Sequence, residues 1–112
     1  MPPESRKLLT DVRDAANEIG SFAAGKGLDE FRTDNLLRSG IYWQFVVIGE
    51  ALTQLPKLDE ATATRISEFD RIIGFRNQIV HGYGGIDDEI TWRIVERKLP
   101  ILRTQLEELL RE

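Results

Sequence analysis

Residues 76–83 hold the side chains of this sequence best suited to chemistry on a phosphodiester. They read Arg-Asn-Gln-Ile-Val-His-Gly-Tyr and include the only histidine of the 112 residues. An arginine binds phosphate oxygens through a planar fork of donors, and a histidine transfers protons near neutral pH. Arg76 and His81 are therefore candidate catalytic residues. Asn77 and Tyr83 are candidates for positioning a phosphate or a sugar by hydrogen bonding.

The composition is that of an ordinary globular protein with its functional groups concentrated in one place. Hydrophobic residues make up 41% and charged residues 30% of the chain, and the formal net charge is −4. A general nucleic-acid coat protein usually presents a basic surface, so the charge argues against that class. An enzyme needs only a local basic site, and any RNA contact is expected on a small patch.

Several other classes of site and location are disfavoured by residue content. The chain has no cysteine, which excludes disulfides, cysteine nucleophiles and thiolate metal sites and suits a cytoplasmic location. No ligands cluster at metal-binding spacing, so neither a metal nor another cofactor is expected. The first residues lack the apolar core of a signal peptide, and no apolar run approaches the ~18 residues of a membrane span.

The spacing of apolar residues predicts helices along nearly the whole chain, in one domain spanning residues 1–112. Apolar residues recur at steps of three and four, as on one face of a helix, in four segments. Asp34 is the expected N-cap of the second helix, Pro56 its expected end, and Asp87 or Asp88 the expected start of the last. A break is expected at Pro100. The four stripes are Leu8, Val12, Ala15, Ile19 and Phe22; Leu37, Ile41, Gln44, Ile48, Ala51 and Leu55; Ile66, Phe69, Ile73, Arg76 and Val80; and Trp92, Val95, Leu99, Leu102, Leu106 and Leu109.

These helices predict an all-α fold, an up-and-down bundle of four to five helices. The fifth would be an extra turn within residues 25–33, where Leu28 and Phe31 are apolar. Trp43 and Trp92 are interpreted as core or interface residues rather than as platforms for base stacking.

Arg76 occupies a position on the third stripe where the pattern predicts an apolar residue. A lone cation on a core-facing seam is costly unless it is paired or opens to a cleft. Arg76 is therefore either a buried arginine paired with a carboxylate such as Glu50 or Asp70, or part of a polar groove or subunit interface. A structural role, pairing with Arg76 or supporting a dimer, is expected for Glu50.

His81 is expected near the C-terminus of the third helix, just before Gly82. Unpaired carbonyls at such an end favour a protonated imidazole. A lone histidine is more often a surface or capping residue, and that reading stays open. Five residues correspond to about 140° around a regular helix, so Arg76 and His81 would lie on different faces. Two chains would combine these residues in one site more readily than a single chain.

Residues 76–83 resemble the R-x4-H-x-Y signature of the HepT-like toxins in the HEPN superfamily. The resemblance extends in order over most of the chain, and a bare R-x4-H would be far less specific. The further matching segments are Val47-Ile48-Gly49-Glu50-Ala51, Ile73-Gly74-Phe75-Arg76-Asn77, Ile94-Val95-Glu96 with Leu99-Pro100, and Leu28-Asp29-Glu30-Phe31 with Asp34.

The resemblance implies an all-α homodimer whose Arg76 and His81 residues line a shared cleft. It implies a metal-independent endoribonuclease that acts as the toxin of a type VII toxin–antitoxin system. The implied partner is an MntA-like nucleotidyltransferase antitoxin that adds AMP to the motif tyrosine, here Tyr83. Some relatives in this family are described as nucleotide-binding accessory proteins. The alternatives are therefore a non-catalytic helical dimer that binds a nucleotide or partners a nucleotidyltransferase, and a purely structural bundle.

Overall fold

The computed structural model describes residues 1–82 and 85–112, and the regular structure within these ranges is helical. The predicted all-α class is confirmed. None of the helices in the described ranges is both long and apolar enough to cross a membrane. The helices are α1 (Pro3–Ala23), α2 (Leu28–Thr33), α3 (Asn35–Ala63), α4 (Phe69–His81), α5 (Asp88–Arg93) and α6 (Leu99–Leu110), with a π-helical segment, Ile94–Lys98, between α5 and α6.

The core lies between α1, α3 and α6. Helix α1 packs along both α3 and α6 and so joins them in one core. The stripes predicted for the first and last helices are confirmed, because their central residues are buried. The most deeply buried side chains include Leu9, Val12, Ile19, Ile41, Ile48, Leu52, Leu55 and Leu106.

The predicted extra turn forms as α2. Its Phe31 is fully buried and packs against the rings of Tyr42 and Trp92, with centroids 5.7 Å and 5.3 Å away. Asp34 caps the next helix as predicted, since its side chain accepts a hydrogen bond from the Leu37 amide at 3.0 Å. These contacts seat α2 against α3 and α5.

The prediction that Pro56 ends the second long helix was wrong. Helix α3 continues past Pro56 and breaks only at Asp59, whose backbone is non-helical. The Asp59 carboxylate accepts hydrogen bonds from the Thr62 amide at 3.1 Å and the Thr62 hydroxyl at 2.6 Å, which lower its pKa. A proline removes one helical hydrogen bond. The helix continues past Pro56 because the burial of Leu52 and Leu55 compensates for that loss.

The predicted interruption near Pro100 takes the form of the π-helical segment. Its last hydrogen bond joins the Leu99 amide to the Ile94 carbonyl, five residues earlier. The widened turn lies just before Pro100, which has no amide hydrogen to donate. At the other end, Asp87 caps α5 as predicted and accepts a 2.8 Å hydrogen bond from the Glu89 amide.

Helix α4 differs from the stripe predicted for it. It begins at Phe69, so Ile66 lies before it, and Val80 points outward with 51% of its surface exposed. Phe69 and Ile73 of that stripe do pack on the core, and they are joined there by Ile72, Phe75 and Ile79, all of them half-buried. Not one residue of α4 is fully buried, and the helix packs its backbone against α3.

Candidate active site

Arg76 lies where α4 meets α3 and forms an ion pair with Glu50. One terminal nitrogen of its guanidinium contacts a Glu50 carboxylate oxygen, and the other donates to Asn77 Oδ1 at 2.6 Å. The Arg76 side chain is 19% exposed, whereas Glu50 is 52% exposed. The carboxylate partner expected for a buried arginine is thus Glu50, and Asp70 is not used. The guanidinium is held at the edge of the helix pair, where one side still meets solvent.

The contact between the helices depends on Gly49. A β-carbon at this position would overlap Cβ and Cγ of Arg76. The absence of a side chain lets the Arg76 stem lie directly on the α3 backbone, so the guanidinium reaches Glu50 one residue further along. Gly49 was missed as a site residue. The signal available in the sequence was a glycine inside an apolar helical stripe, next to a lone carboxylate.

One donor of Arg76 is left without a partner among the described residues. Its Nε is buried and makes no hydrogen bond there. A buried donor without an acceptor is unfavourable, since it has lost its water without replacement. Within the part of the chain that the structure describes, the arginine is therefore firmly positioned but incompletely satisfied.

His81 is the last residue of α4 and is exposed. The helix ends regularly behind it: Gly82 has φ +62°, and its amide donates to the Gln78 carbonyl at 2.9 Å. Because no distortion occurs, regular geometry applies, and Arg76 and His81 are about 140° and about 7.5 Å apart along the helix. The two candidate catalytic residues share a helix but not a face.

Asn77 is brought to Arg76, and Tyr83 cannot be placed. Asn77 is half-buried and accepts the hydrogen bond from Arg76, so it belongs to the same polar cluster. Tyr83 lies outside the described residues, so its predicted role stays a prediction. No group of three or more histidine, aspartate and glutamate residues in the described ranges has a geometry that could hold a metal ion.

A second polar cluster, also missed from sequence, ties the start of α5 to α3. The Tyr42 hydroxyl donates to Asp88 Oδ1 at 2.8 Å and lies 2.9 Å from Thr91 Oγ1. Arg38 Nε donates to the same Asp88 oxygen at 3.1 Å. Burial raises the pKa of Tyr42 to about 12, and the contact with Asp88 acts in the same direction. This cluster holds the chain that follows the candidate motif.

The two tryptophans have different environments. Trp92 is 5% exposed and packs in the core, as one of its two predicted roles requires. Trp43 is 62% exposed on α3, so a core role for it was wrong. The other predicted role of Trp43, as an interface residue, involves a second molecule and remains a prediction.

Comparison with known proteins connects this geometry with a family. A family model described as "Ribonuclease HepT-like" matches residues 12–109. A Methanocaldococcus jannaschii protein named "Putative RNase MJ0127" is 29% identical over 107 residues, covering 96% of this chain and 88% of that protein. A Thermococcus cleftensis protein named "Probable ribonuclease HepT" is 23% identical over 109 residues, covering 97% and 98%. No solved structure gives a significant match. The chain belongs to the HepT-like ribonuclease family.

Proposed function

We propose that this protein is a homodimeric, metal-independent endoribonuclease and the toxin of a type VII toxin–antitoxin system. Arg76 and His81 of both protomers form its catalytic site in a cleft between the subunits. Asn77 positions Arg76, and Tyr83 is the residue at which a cognate MntA-like nucleotidyltransferase adds AMP. Family membership supports the ribonuclease class, and the remaining parts of the proposal are argued from the site itself.

The observation that carries the proposal is the placement of Arg76 and His81 on α4. Arg76 is fixed by Glu50, Asn77 and the close approach at Gly49. His81 is exposed about 140° away, so two protomers would bring both groups to one phosphate more readily than a single protomer. The exposed side chain of Val80 on α4 offers apolar surface to a second copy. A two-fold arrangement would place Arg76 of one chain near His81 of the other.

The proposed reaction is an internal transesterification of RNA. The 2′-oxygen attacks the adjacent phosphorus while its proton passes to one His81, so a new O–P bond forms as the bond to the 5′-oxygen breaks. The partner subunit's His81 donates a proton to the departing 5′-oxygen, leaving a 2′,3′-cyclic phosphate. Arg76 stabilises the charge that develops on the phosphoryl oxygens. Each dimer thus supplies a base and an acid although each chain has a single histidine.

Cleavage of a labelled single-stranded RNA by the purified protein tests the nuclease. His81→Ala and Arg76→Ala should each slow cleavage by at least about 100-fold, the usual effect of removing a proton-transfer group or a charge-stabilising donor. Arg71→Ala is the matched control, because Arg71 is an exposed arginine of the same helix whose partner is Glu68. Cleavage should persist in EDTA and yield cyclic phosphate ends.

The result also separates the nuclease from its alternatives. Wild-type protein that leaves RNA intact, and that does not arrest growth when expressed without a neighbouring antitoxin, would contradict the nuclease. It would favour the accessory or structural dimer instead. Sedimentation velocity tests the dimer directly, and a monomer at micromolar concentration would contradict the composite site.

Intact-mass measurement after co-expression with the neighbouring nucleotidyltransferase tests the switch. An added nucleotide at Tyr83 would bring a negative phosphate beside the cleft and repel the RNA backbone. The mass should rise by one or more AMP units in wild-type protein and stay unshifted in Tyr83→Phe. Tyr42→Phe, which removes the other tyrosine of the chain, should keep the adduct. An adduct that survives Tyr83→Phe would exclude Tyr83 as the acceptor.

A further inference from the structure

A crevice beside the end of α4 has the composition of a nucleobase site. It encloses about 440 Å³ between α3, the end of α4 and the chain leading to α5. Trp43 and Arg38 line it from α3, Ile79 from α4, and Gly82 and Ile86 from the chain that follows α4. Its volume lies within the range of small-molecule sites, and its walls combine a large ring, aliphatic side chains and a cation.

Trp43 is the part of the crevice that the fold itself does not use. Its side chain is 62% exposed, although burying a tryptophan is strongly favourable. The tryptophan that packs in the core is Trp92. Val46 and Ile79 line the same crevice with half-buried aliphatic groups. A flat aromatic base stacked on an exposed indole is the usual way in which proteins hold single-stranded nucleic acid without reading its sequence.

Arg38 supplies the positive charge that a nucleotide needs. Its Nε is bonded to Asp88 at 3.1 Å, and its guanidinium lies 5.9 Å from the centre of the Tyr42 ring. These contacts fix the side chain, while no described residue accepts a hydrogen bond from its two terminal nitrogens. Ser39, which also lines the crevice, adds a hydroxyl. A phosphate or ribose beside the stacked base would find both donors.

The crevice reaches the residue that follows the candidate catalytic His81. Gly82, part of its wall, follows His81 in the chain and closes α4. We propose that this crevice binds one unpaired nucleotide of a single-stranded RNA, with the base on Trp43 and the flanking phosphate near Arg38. For Trp43 this replaces the interpretation from sequence as a core or interface residue. The inference rests on the proposed nuclease for its substrate and adds to it the subsite that holds the strand beside His81.

The intrinsic fluorescence of Trp43 provides a direct test. A His81→Ala, Trp92→Phe protein keeps Trp43 as its single tryptophan and does not cleave the probe. Titration with a short single-stranded oligoadenylate should quench this fluorescence in a saturable way. In a His81→Ala background that retains Trp92, anisotropy of labelled oligoadenylate gives the affinity without a core substitution. There Trp43→Ala should weaken binding by about tenfold or more, as expected for the loss of one stacked base.

Arg38→Gln should also weaken binding and reduce its dependence on salt, because one phosphate contact is lost. Two controls should leave the affinity unchanged. Leu36→Ala removes a more exposed apolar side chain of α3, which is absent from the crevice wall. Arg32→Gln removes an exposed arginine whose carboxylate partner is Glu89.

The outcomes separate this subsite from the nuclease. Cleavage by wild-type protein without quenching of Trp43, and with unchanged affinity in Trp43→Ala, would overturn the subsite and leave the nuclease standing. Saturable quenching in a protein whose wild type never cleaves RNA would support the subsite and contradict the nuclease. A Trp43→Ala protein that sediments as a monomer while the wild type is a dimer would assign Trp43 to a second copy and overturn the subsite.

Discussion

Helices α4 and α6 have similar lengths and similar amphipathic sequences, yet the molecule uses their apolar residues differently. In α6, Leu99, Leu102, Leu106 and Leu109 are all buried against α1 and the π-helical segment. In α4, no residue is fully buried, and its apolar side chains rest half-covered against α3. An apolar stripe therefore predicts a helix, but it does not say whether its face meets the same chain or another molecule.

The difference has a functional consequence. The packed helix buries its apolar residues on folding, whereas α4 leaves part of its apolar surface uncovered. The helix that carries Arg76 and His81 is thus one without a fully buried residue. The candidate catalytic residues Arg76 and His81 therefore lie on a helix that another molecule can reach without the core having to open.

The largest effect is expected from a substitution in the packed helix. Leu106→Ala removes a fully buried side chain of α6 and should lower the free energy of unfolding by about 2–5 kcal/mol. Val80→Ala, at an exposed position of α4, should change it by no more than about 0.5 kcal/mol. Urea unfolding below the association concentration measures both values. Equal losses would remove the contrast between the helices.

A smaller loss is expected where α4 touches α3. Gly49→Ala introduces a β-carbon that overlaps Arg76, so α4 must shift and stability should fall by about 1–3 kcal/mol. Gly74→Ala is the matched control, because nothing lies within 4 Å of a β-carbon there. It should stabilise α4 by about 0.5–1 kcal/mol through helix propensity. Circular dichroism melts of both variants give the comparison, and a neutral Gly49→Ala would contradict the close approach.

The ion pair at the same contact should contribute less. Glu50→Gln removes the carboxylate from Arg76, and half-exposure of Glu50 screens the interaction, so a loss of about 1 kcal/mol or less is expected. Asp11→Asn breaks the more exposed pair with Lys7 and should have almost no effect. A double-mutant cycle with Arg76→Gln isolates the coupling, and zero coupling would show that Glu50 does not hold Arg76.

At neutral pH the ionisation of Tyr42 does not affect stability, and its contribution appears only in alkali. The pKa of Tyr42 is raised to about 12 in the folded protein, above its unfolded value near 10. The raised pKa favours the neutral phenol, so its contribution to stability is complete below pH ~10 and is lost between pH ~10 and ~12. Ultraviolet titration of Tyr83→Phe protein isolates Tyr42, and a midpoint near 10 would contradict this. Tyr42→Phe should remove that part of the alkaline loss.

The sequence was sufficient to predict the helices whose apolar stripes are buried within the same chain. The buried leucines of α6 recur at regular spacing, and the caps Asp34 and Asp87 act through local hydrogen bonds. The prediction at Pro56 was wrong because the burial of neighbouring residues outweighed the tendency of proline to end a helix. The α4 stripe was partly wrong because this helix has no fully buried face to fix its pattern.

Prediction of the candidate site from sequence was limited in the same way. Glu50 was one of two carboxylates considered as a partner of Arg76, because a charge on an apolar seam needs a carboxylate. Gly49 and the Tyr42–Asp88 cluster were not found, because each depends on residues far apart in sequence that meet only in the folded chain. The 62% exposure of Trp43 likewise follows from how α3 packs and is not visible in its own spacing.

The partial burial of α4 also determines how readily its backbone amide hydrogens exchange with solvent. A helix without a fully buried residue opens by local fluctuations that cost less than global unfolding, so its amides should exchange with deuterium earlier than those of α6. Any molecule that binds over α4 adds its binding free energy to the free energy required for that opening. The protection of a few amides in residues 69–81 would therefore report occupancy of the site in solution, whatever molecule covers it.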